Sequence, residues 1–127
     1  MSDFRSVGYL LGEMQTDSDA KLLRQYEDSH SEAAFETLVQ RHVHLVYSAA
    51  LRQVDSPPVA AEIAQRVFVA LAQNARPLIR RIAPEASLAG WLCRSARNLS
   101  LNHRRDEGRR QAREREAMEH LSHTAET

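Results

Sequence analysis

Apolar residues recur at steps of three and four along most of this chain, which is the spacing of amphipathic helices. The most regular run, between residues 57 and 74, consists of Ala60, Ile63, Ala64, Val67, Phe68 and Leu71. No segment alternates polar and apolar residues for long, as a half-buried strand would. Glycine and proline, which interrupt helices, number only 4 each. The pattern predicts an all-α fold: a small bundle of about four helices with a long, partly exposed C-terminal helix.

Capping signals indicate where the first three helices begin. Asp17 or Ser18 can cap the first helix, because a short polar side chain accepts a hydrogen bond from an unpaired backbone N–H. Ser29 followed by Glu32 has the spacing of a capping box and predicts the start of a long second helix. Pro57 suits the first turn of a third helix. The predicted inner stripe of the second helix is Phe35, Leu38, Val39, His42, Val46, Ala49 and Ala50.

The segment that follows the predicted third helix is rich in proline and arginine. Residues 76–86 contain Pro77, Pro84 and three arginines, which predicts an ordered loop. Ser87 then suits the cap of a fourth helix, and the apolar stripe of that helix stops after Leu101. The predicted inner residues of the fourth helix are Leu88, Trp91, Leu92, Ser95 and Leu99.

The C-terminal segment is almost entirely polar. Its oppositely charged residues follow one another at helical spacing, as in Asp106 with Arg110, Arg110 with Glu114 and Arg115 with Glu119. Such pairs predict an exposed helix that extends past the core and frays towards the C-terminus. The resulting division is a flexible leader over residues 1–15, a helical domain over residues 16–110 and a polar tail over residues 111–127.

Charge is segregated along the chain although the net charge is zero. Residues 1–65 carry 5 basic and 10 acidic side chains, whereas residues 66–127 carry 12 basic and 7 acidic side chains. Between Arg76 and Arg115 there are 11 arginines and 4 acidic residues. A basic C-terminal half of this kind indicates binding to a polyanion.

The sequence contains no recognisable set of catalytic or metal-binding residues. His42 and His44 are two positions apart, so a helix would place them on different faces. The single cysteine, Cys93, excludes an internal disulfide and a cysteine-based zinc cluster. Acidic pairs such as Asp17 and Asp19 occupy capping or solvent positions. We therefore expect neither enzymatic activity nor a cofactor.

The sequence also lacks membrane and export signals. No run approaches the roughly 18 consecutive apolar residues of a transmembrane helix. The N-terminal segment lacks the basic start, the apolar stretch and the cleavage site of a signal peptide. A cytoplasmic location without a membrane partner is the expectation.

The basic segment offers two interpretations. Arginine and asparagine form bidentate hydrogen bonds to base edges, and arginine also neutralises phosphates, so these side chains favour nucleic-acid binding. A solvated, ion-paired helix that binds an acidic protein is the alternative, and would make the chain a helical protein-protein interaction module. Trp91 could stack on an unpaired base, but its position in the apolar stripe favours core packing.

Three segments in this order resemble region 2 of an extracytoplasmic-function (ECF) sigma factor, the promoter-melting domain of the sigma-70 family. They read DAKLLRQYEDSHSEAAFETLVQRHVHLVYSAALRQV, AAEIAQRVFVALAQNA and SLAGWLCRSARNLSLNHRR. The resemblance extends from about Asp17 to Arg110. It implies a partner in bacterial RNA polymerase core, where region 2 binds the clamp coiled coil of the β′ subunit. It also implies capture of the single-stranded, non-template −10 element of promoter DNA.

The resemblance assigns residues to both surfaces. The polymerase-binding residues would be Arg41, Arg52, Glu62, Gln65 and Arg66. The DNA-binding residues would be Arg76, Arg80, Arg81, Trp91, Arg94, Arg97, Asn98, Asn102 and Arg105. An anti-sigma factor is a further candidate partner of this family.

Several positions depart from the family pattern. Ala61 stands where the first residue of an acidic pair is usual, and Arg66 follows Gln65 where an acidic or small residue is common. Asn102 stands at a frequent aspartate position. We also expect no helix-turn-helix domain that reads the −35 element after Arg110. These departures leave open a degenerate sigma-like regulator that does not melt DNA.

Overall fold

A computed structural model describes residues 17–126 and shows five helices in this part of the chain. They are α1 (Asp19–Ser29), α2 (Glu32–Val54), α3 (Pro57–Gln73), α4 (Ala75–Arg81) and α5 (Ala89–Glu126). No strand occurs among the described residues, so the predicted all-α bundle with a long C-terminal helix is confirmed. The predicted leader, residues 1–15, lies outside the described residues.

The centre of the bundle is α2, which packs against α1, α3 and α5. All six apolar residues of the predicted α3 stripe are buried, from Ala60 to Leu71. The buried stripe of α5 is rotated slightly from the prediction. Leu92, Ala96 and Ser100 are fully buried, whereas Ser95 and Leu99 remain partly exposed. Core packing of these stripes stabilises helices that would be marginal in isolation.

The predicted capping box at Ser29 is wrong. Helix α1 continues to Ser29, and His30 ends it in the left-handed conformation with φ 53°. Ser31 caps α2 instead, because its side chain accepts a hydrogen bond from the Ala34 N–H at 3.2 Å. At the start of α1, Ser18 is the capping residue, because its Oγ accepts a hydrogen bond from the Lys21 backbone N–H at 3.1 Å.

The loop predicted over residues 76–86 is partly wrong, because its first half is helix α4. Pro77 is the third residue of α4, where its missing N–H costs nothing because the first-turn N–H groups have no partner within a helix. The loop that remains, residues 82–88, is called the α4–α5 loop below. It contains a turn in which the Ala86 N–H donates to the Ala83 carbonyl oxygen at 3.0 Å.

Helix α5 extends well beyond the core. Its 38 residues correspond to a length of about 57 Å, and every residue from Gly108 to Ala125 is exposed. Arg110 pairs with Glu107 and, as predicted, with Glu114 at 3.4 Å. Asp106 pairs with Arg109 at 3.9 Å rather than with Arg110. The helix continues to Glu126, the last residue that the structure describes. None of the described helices has both the length and the apolar character needed to span a membrane.

Candidate nucleic-acid interface

Five polar residues on the exposed side of α5 form what we call the arginine face: Arg94, Arg97, Asn98, Asn102 and Arg105. All five are exposed, and they lie away from the buried stripe of the helix. Within residues 17–126, the three guanidinium groups of this face form no ion pair. Uncompensated positive charge along a helix is suited to the phosphates of a nucleic acid.

The N-terminal end of the arginine face is shaped by Gly90. A Cβ atom at Gly90 would lie 3.3 Å from Nη1 of Arg94, so the Arg94 guanidinium rests against the first turn of α5. Trp91, in the same turn, is partly buried and packs against the core. The first turn therefore presents a cation beside an indole ring, groups that can bind a phosphate and stack on a base.

The three arginines of the predicted DNA-binding loop lie on α4 instead. Arg76, Arg80 and Arg81 are all exposed. Arg76 donates from Nε to Oε1 of Glu27 at 3.1 Å, and Arg80 borders a shallow depression that Glu27 also lines. Exposed pairs of this kind are weak. A phosphate bound by Arg76 would have to compete with the Glu27 carboxylate. On the arginine face, within the described part of the chain, no such competing carboxylate is paired with the arginines.

A buried carboxylate joins three parts of the fold near the start of α5. Asp19, on α1, accepts hydrogen bonds from Arg41 Nη1 at 2.8 Å and from His42 Nε2 at 2.8 Å, both on α2. It also accepts one from the Leu88 backbone N–H at 2.7 Å and one from Ser87 Oγ at 3.3 Å. We call these five residues the Asp19 cluster.

The Asp19 carboxylate is ionised within this cluster. Burial alone would raise the pKa of Asp19, but the hydrogen bonds from His42, the Leu88 N–H and Arg41 outweigh that effect. Together they hold the pKa of Asp19 well below its usual range. An ionised carboxylate only accepts hydrogen bonds, so the Nε2 atom of His42 carries the hydrogen.

The expectation that Asp19 occupies a capping or solvent position is therefore wrong. Asp19 is only 4% exposed. The sequence did contain a signal for it, namely His42 within the apolar stripe of α2. A buried imidazole needs a hydrogen-bonding partner. That requirement could have indicated a buried acceptor, although not which residue provides it.

A second feature is an apolar groove between α2 and α3, with a volume of about 770 Å³. Its walls include Phe35, Val39, Val43 and Tyr47 from α2 and Phe68 and Val69 from α3. Phe35 and Val39 were predicted as inner residues of α2, but they are only partly covered. Val69 is 50% exposed. Sequence reasoning did not predict this groove.

The structure separates the five residues that the resemblance assigned to polymerase binding. Gln65 lines the apolar groove, and Glu62 and Arg66 are exposed beside it on α3. Arg52 is exposed near the end of α2. Arg41 belongs to the Asp19 cluster and lies two residues from Val39 and from Val43, which places it on the opposite side of α2 from the groove.

The remaining described residues offer no other evident chemistry. Within residues 17–126, no group of three or more histidine, cysteine, aspartate or glutamate side chains is arranged to hold a metal ion. Cys93 is a free, partly buried thiol on α5.

Comparison with known proteins identifies the family. The model of one family, Sigma-70 region 2, matches residues 38–110, from the first half of α2 to Arg110 in α5. No curated protein and no solved structure matches the chain. The matched range contains most of the apolar groove, all of α4 and the whole arginine face. Because it covers more than half of the sequence, the chain belongs to the sigma-70 region 2 family, a domain of transcription initiation factors that bind RNA polymerase and recognise promoters.

Proposed function

We propose that this chain is region 2 of an ECF sigma factor, which binds the β′ clamp coiled coil and captures the non-template strand of the −10 element. The observation that carries the proposal is the presence of two chemically different surfaces on one small helical body. The apolar groove lies between α2 and α3, and the arginine face lies on α5. An apolar surface suits a protein partner, and an uncompensated basic surface suits DNA.

The apolar groove supports the polymerase half of this proposal. Its length runs between two helices, so it can accept a row of apolar side chains from a helical partner. The polar residues beside it nearly cancel in charge, since Glu62 is the acidic residue and Arg66 the basic one. We therefore expect apolar contacts to supply most of the binding free energy at this surface, with little dependence on salt.

The arginine face supports the DNA half. Separating a base from its stack costs a few kcal/mol, and the protein must offset this with contacts that only a single strand presents. Arg94, Arg97 and Arg105 can neutralise phosphates, while Asn98 and Asn102 can form hydrogen bonds to base edges. Stacking of one base on Trp91 would add to that stabilisation.

A charge placed in the apolar groove is expected to weaken polymerase binding. Replacing Val69 with glutamate should reduce affinity for RNA polymerase core by about tenfold or more, because the carboxylate would be buried without a partner. Val69 is half-exposed, so the fold itself should lose no more than about 0.5 kcal/mol. Affinity is measured by biolayer interferometry with immobilised core enzyme.

The matched control is Met118→Glu, which introduces the same charge at an apolar residue that is 69% exposed on α5. This variant should bind core enzyme as the unmodified chain does. Equal affinities for Val69→Glu and Met118→Glu would show that the apolar groove does not contact polymerase.

A sigma-like regulator that binds polymerase without melting DNA is the second candidate. It is favoured by Ala61 and Arg66, which depart from the family pattern beside the groove. The two candidates differ in their DNA substrate, because only the first requires a preference for unpaired strands.

A further inference from the structure

We infer that Asp19 is a positioning residue for strand capture: it fixes the α4–α5 loop and the first turn of α5 in the arrangement that presents Trp91 and Arg94 to DNA. This inference rests on the proposed function, since it explains how the strand-binding surface is held in place. Asp19 would contact no DNA itself, because it is buried.

The geometry of the Asp19 cluster supports this role. One oxygen of the carboxylate, Oδ1, accepts from Arg41, while the other, Oδ2, accepts from His42, Ser87 and the Leu88 N–H. A single buried side chain therefore connects α1 and α2 to the end of the α4–α5 loop. Asp19 and Leu88 are 69 residues apart in the sequence, so hydrogen bonds formed within the loop cannot replace this connection.

The bonds to Ser87 and Leu88 lie directly before the strand-binding residues. Ser87 Oγ also accepts from the Ala89 N–H at 3.1 Å, which caps the start of α5. Leu88 is fully buried, and its carbonyl oxygen accepts from the Leu92 N–H at 2.9 Å as the first hydrogen bond of α5. Movement of Leu88 would therefore move the helical turn that carries Trp91.

The two ends of the α4–α5 loop pack against the core through Ile82 and Leu88, whereas the residues between them make few contacts. Residues 83–85 and Ser87 are exposed, and the backbone hydrogen bonds found within the loop are local. Asp19 binds Ser87 and the Leu88 N–H from outside both the loop and α5. Without it, we expect the loop and the first turn of α5 to sample several arrangements.

The test measures how strongly DNA binding depends on an individual base. A single-stranded oligonucleotide is selected from a randomised pool by the chain bound to RNA polymerase core. Versions of it with an abasic site at each position are then compared by fluorescence anisotropy. Capture of a base by the unmodified chain should make binding about tenfold weaker when that base is absent.

Two variants separate positioning from stability. Asp19→Ala removes every bond of the cluster to the loop, and its abasic penalty should fall to about twofold or less. Ile63→Ala removes a buried side chain of α3 and destabilises the fold, but leaves the Asp19 cluster intact. It should retain the full tenfold penalty. Both are measured well below their melting temperatures, with folding checked by circular dichroism.

Ser87→Ala keeps the test valid if Asp19→Ala does not fold. It removes the Ser87 contact of Asp19 together with the cap on the Ala89 N–H, and it leaves the bonds between helices. The abasic penalty should fall from about tenfold to about threefold. The inference is overturned if Asp19→Ala, or Ser87→Ala in its place, keeps the full penalty, or if Ile63→Ala loses it equally. Absence of any abasic penalty in the unmodified chain would instead overturn the proposed strand capture, and the positioning role with it.

Discussion

Replacing Asp19 with alanine is expected to lower the free energy of unfolding by about 3–5 kcal/mol. The substitution removes an ionised acceptor that binds Arg41, His42, Ser87 and the Leu88 N–H. The His42 ring and the Leu88 N–H are both buried and would be left without this partner. Unpaired buried polar groups cost more than the hydrogen bonds contributed in the intact protein.

Urea denaturation at pH 7, followed by circular dichroism, measures this loss. The matched control is Asp17→Ala, two residues earlier, because the Asp17 carboxylate pairs with the exposed Lys21 at 3.1 Å. Removal of that exposed pair should cost no more than about 1 kcal/mol. Equal losses in the two variants would contradict a stabilising role for the buried cluster.

The difference in unfolding free energy between the unmodified chain and Asp19→Ala is expected to depend on pH. The pKa of Asp19 is lower in the folded chain than the value of about 3.9 of an unfolded aspartate. Its ionised form therefore stabilises the fold fully above that pH, and this contribution is lost as the pH falls further. The difference in stability between the unmodified chain and Asp19→Ala should be constant near neutral pH and should narrow below about pH 4.

Replacing Arg94, Arg97 and Arg105 together with alanine should weaken single-stranded DNA binding by about a hundredfold in 0.1 M salt. Each phosphate contact on a single strand contributes about 0.7 to the slope of log affinity against log salt concentration. Loss of three contacts should therefore also reduce that slope by about 2. Fluorescence anisotropy over a series of salt concentrations measures both quantities.

The control removes three arginines further along the same helix, Arg110, Arg113 and Arg115. The two sets are centred about 20 Å apart on α5, which exceeds the Debye length of about 10 Å in 0.1 M salt. The control should lose less than about tenfold in affinity. Equal effects of both triple variants would mean that DNA responds to the overall charge of α5 and that the arginine face is not a specific site.

The local signals in the sequence were sufficient for much of the fold. Helix α3 begins at Pro57 as predicted, because proline suits a first helical turn and the six apolar residues that follow keep one helical spacing. Helix α2 ends at Val54, three residues before Pro57, with Asp55 in the left-handed conformation at φ 52°. Helix α4 was missed because Pro77 indicates a loop unless the helix is already known to begin at Ala75.

The features that depend on distant contacts could not be predicted. Ser29 has the better local signal, a capping box with Glu32, but Ser31 is the cap, because the choice depends on where α1 ends. The partners of Asp19 lie 22 to 69 residues away, so no local pattern identifies them. The apolar groove follows from the packing of α2 on α3, which leaves Phe35 and Val69 partly uncovered.

The arginine face could be predicted in part from the sequence. Its five residues were predicted from composition and from the resemblance, and their exposure follows from helical spacing relative to the apolar stripe. The ion pair between Arg76 and Glu27 was not predictable, because it depends on the packing of α4 against α1. The roles of all these residues in DNA binding stay predictions.

The most direct measurement is the affinity of the chain, bound to RNA polymerase core, for one selected promoter sequence in two forms. These are the single non-template strand and the same sequence as a fully paired duplex, compared in 0.1 M salt. If unpaired bases are captured, the single strand should bind at least about tenfold more tightly, because the duplex must first be opened at a cost of a few kcal/mol. Equal affinity for the two forms would contradict strand capture and leave this surface as a general binder of phosphates.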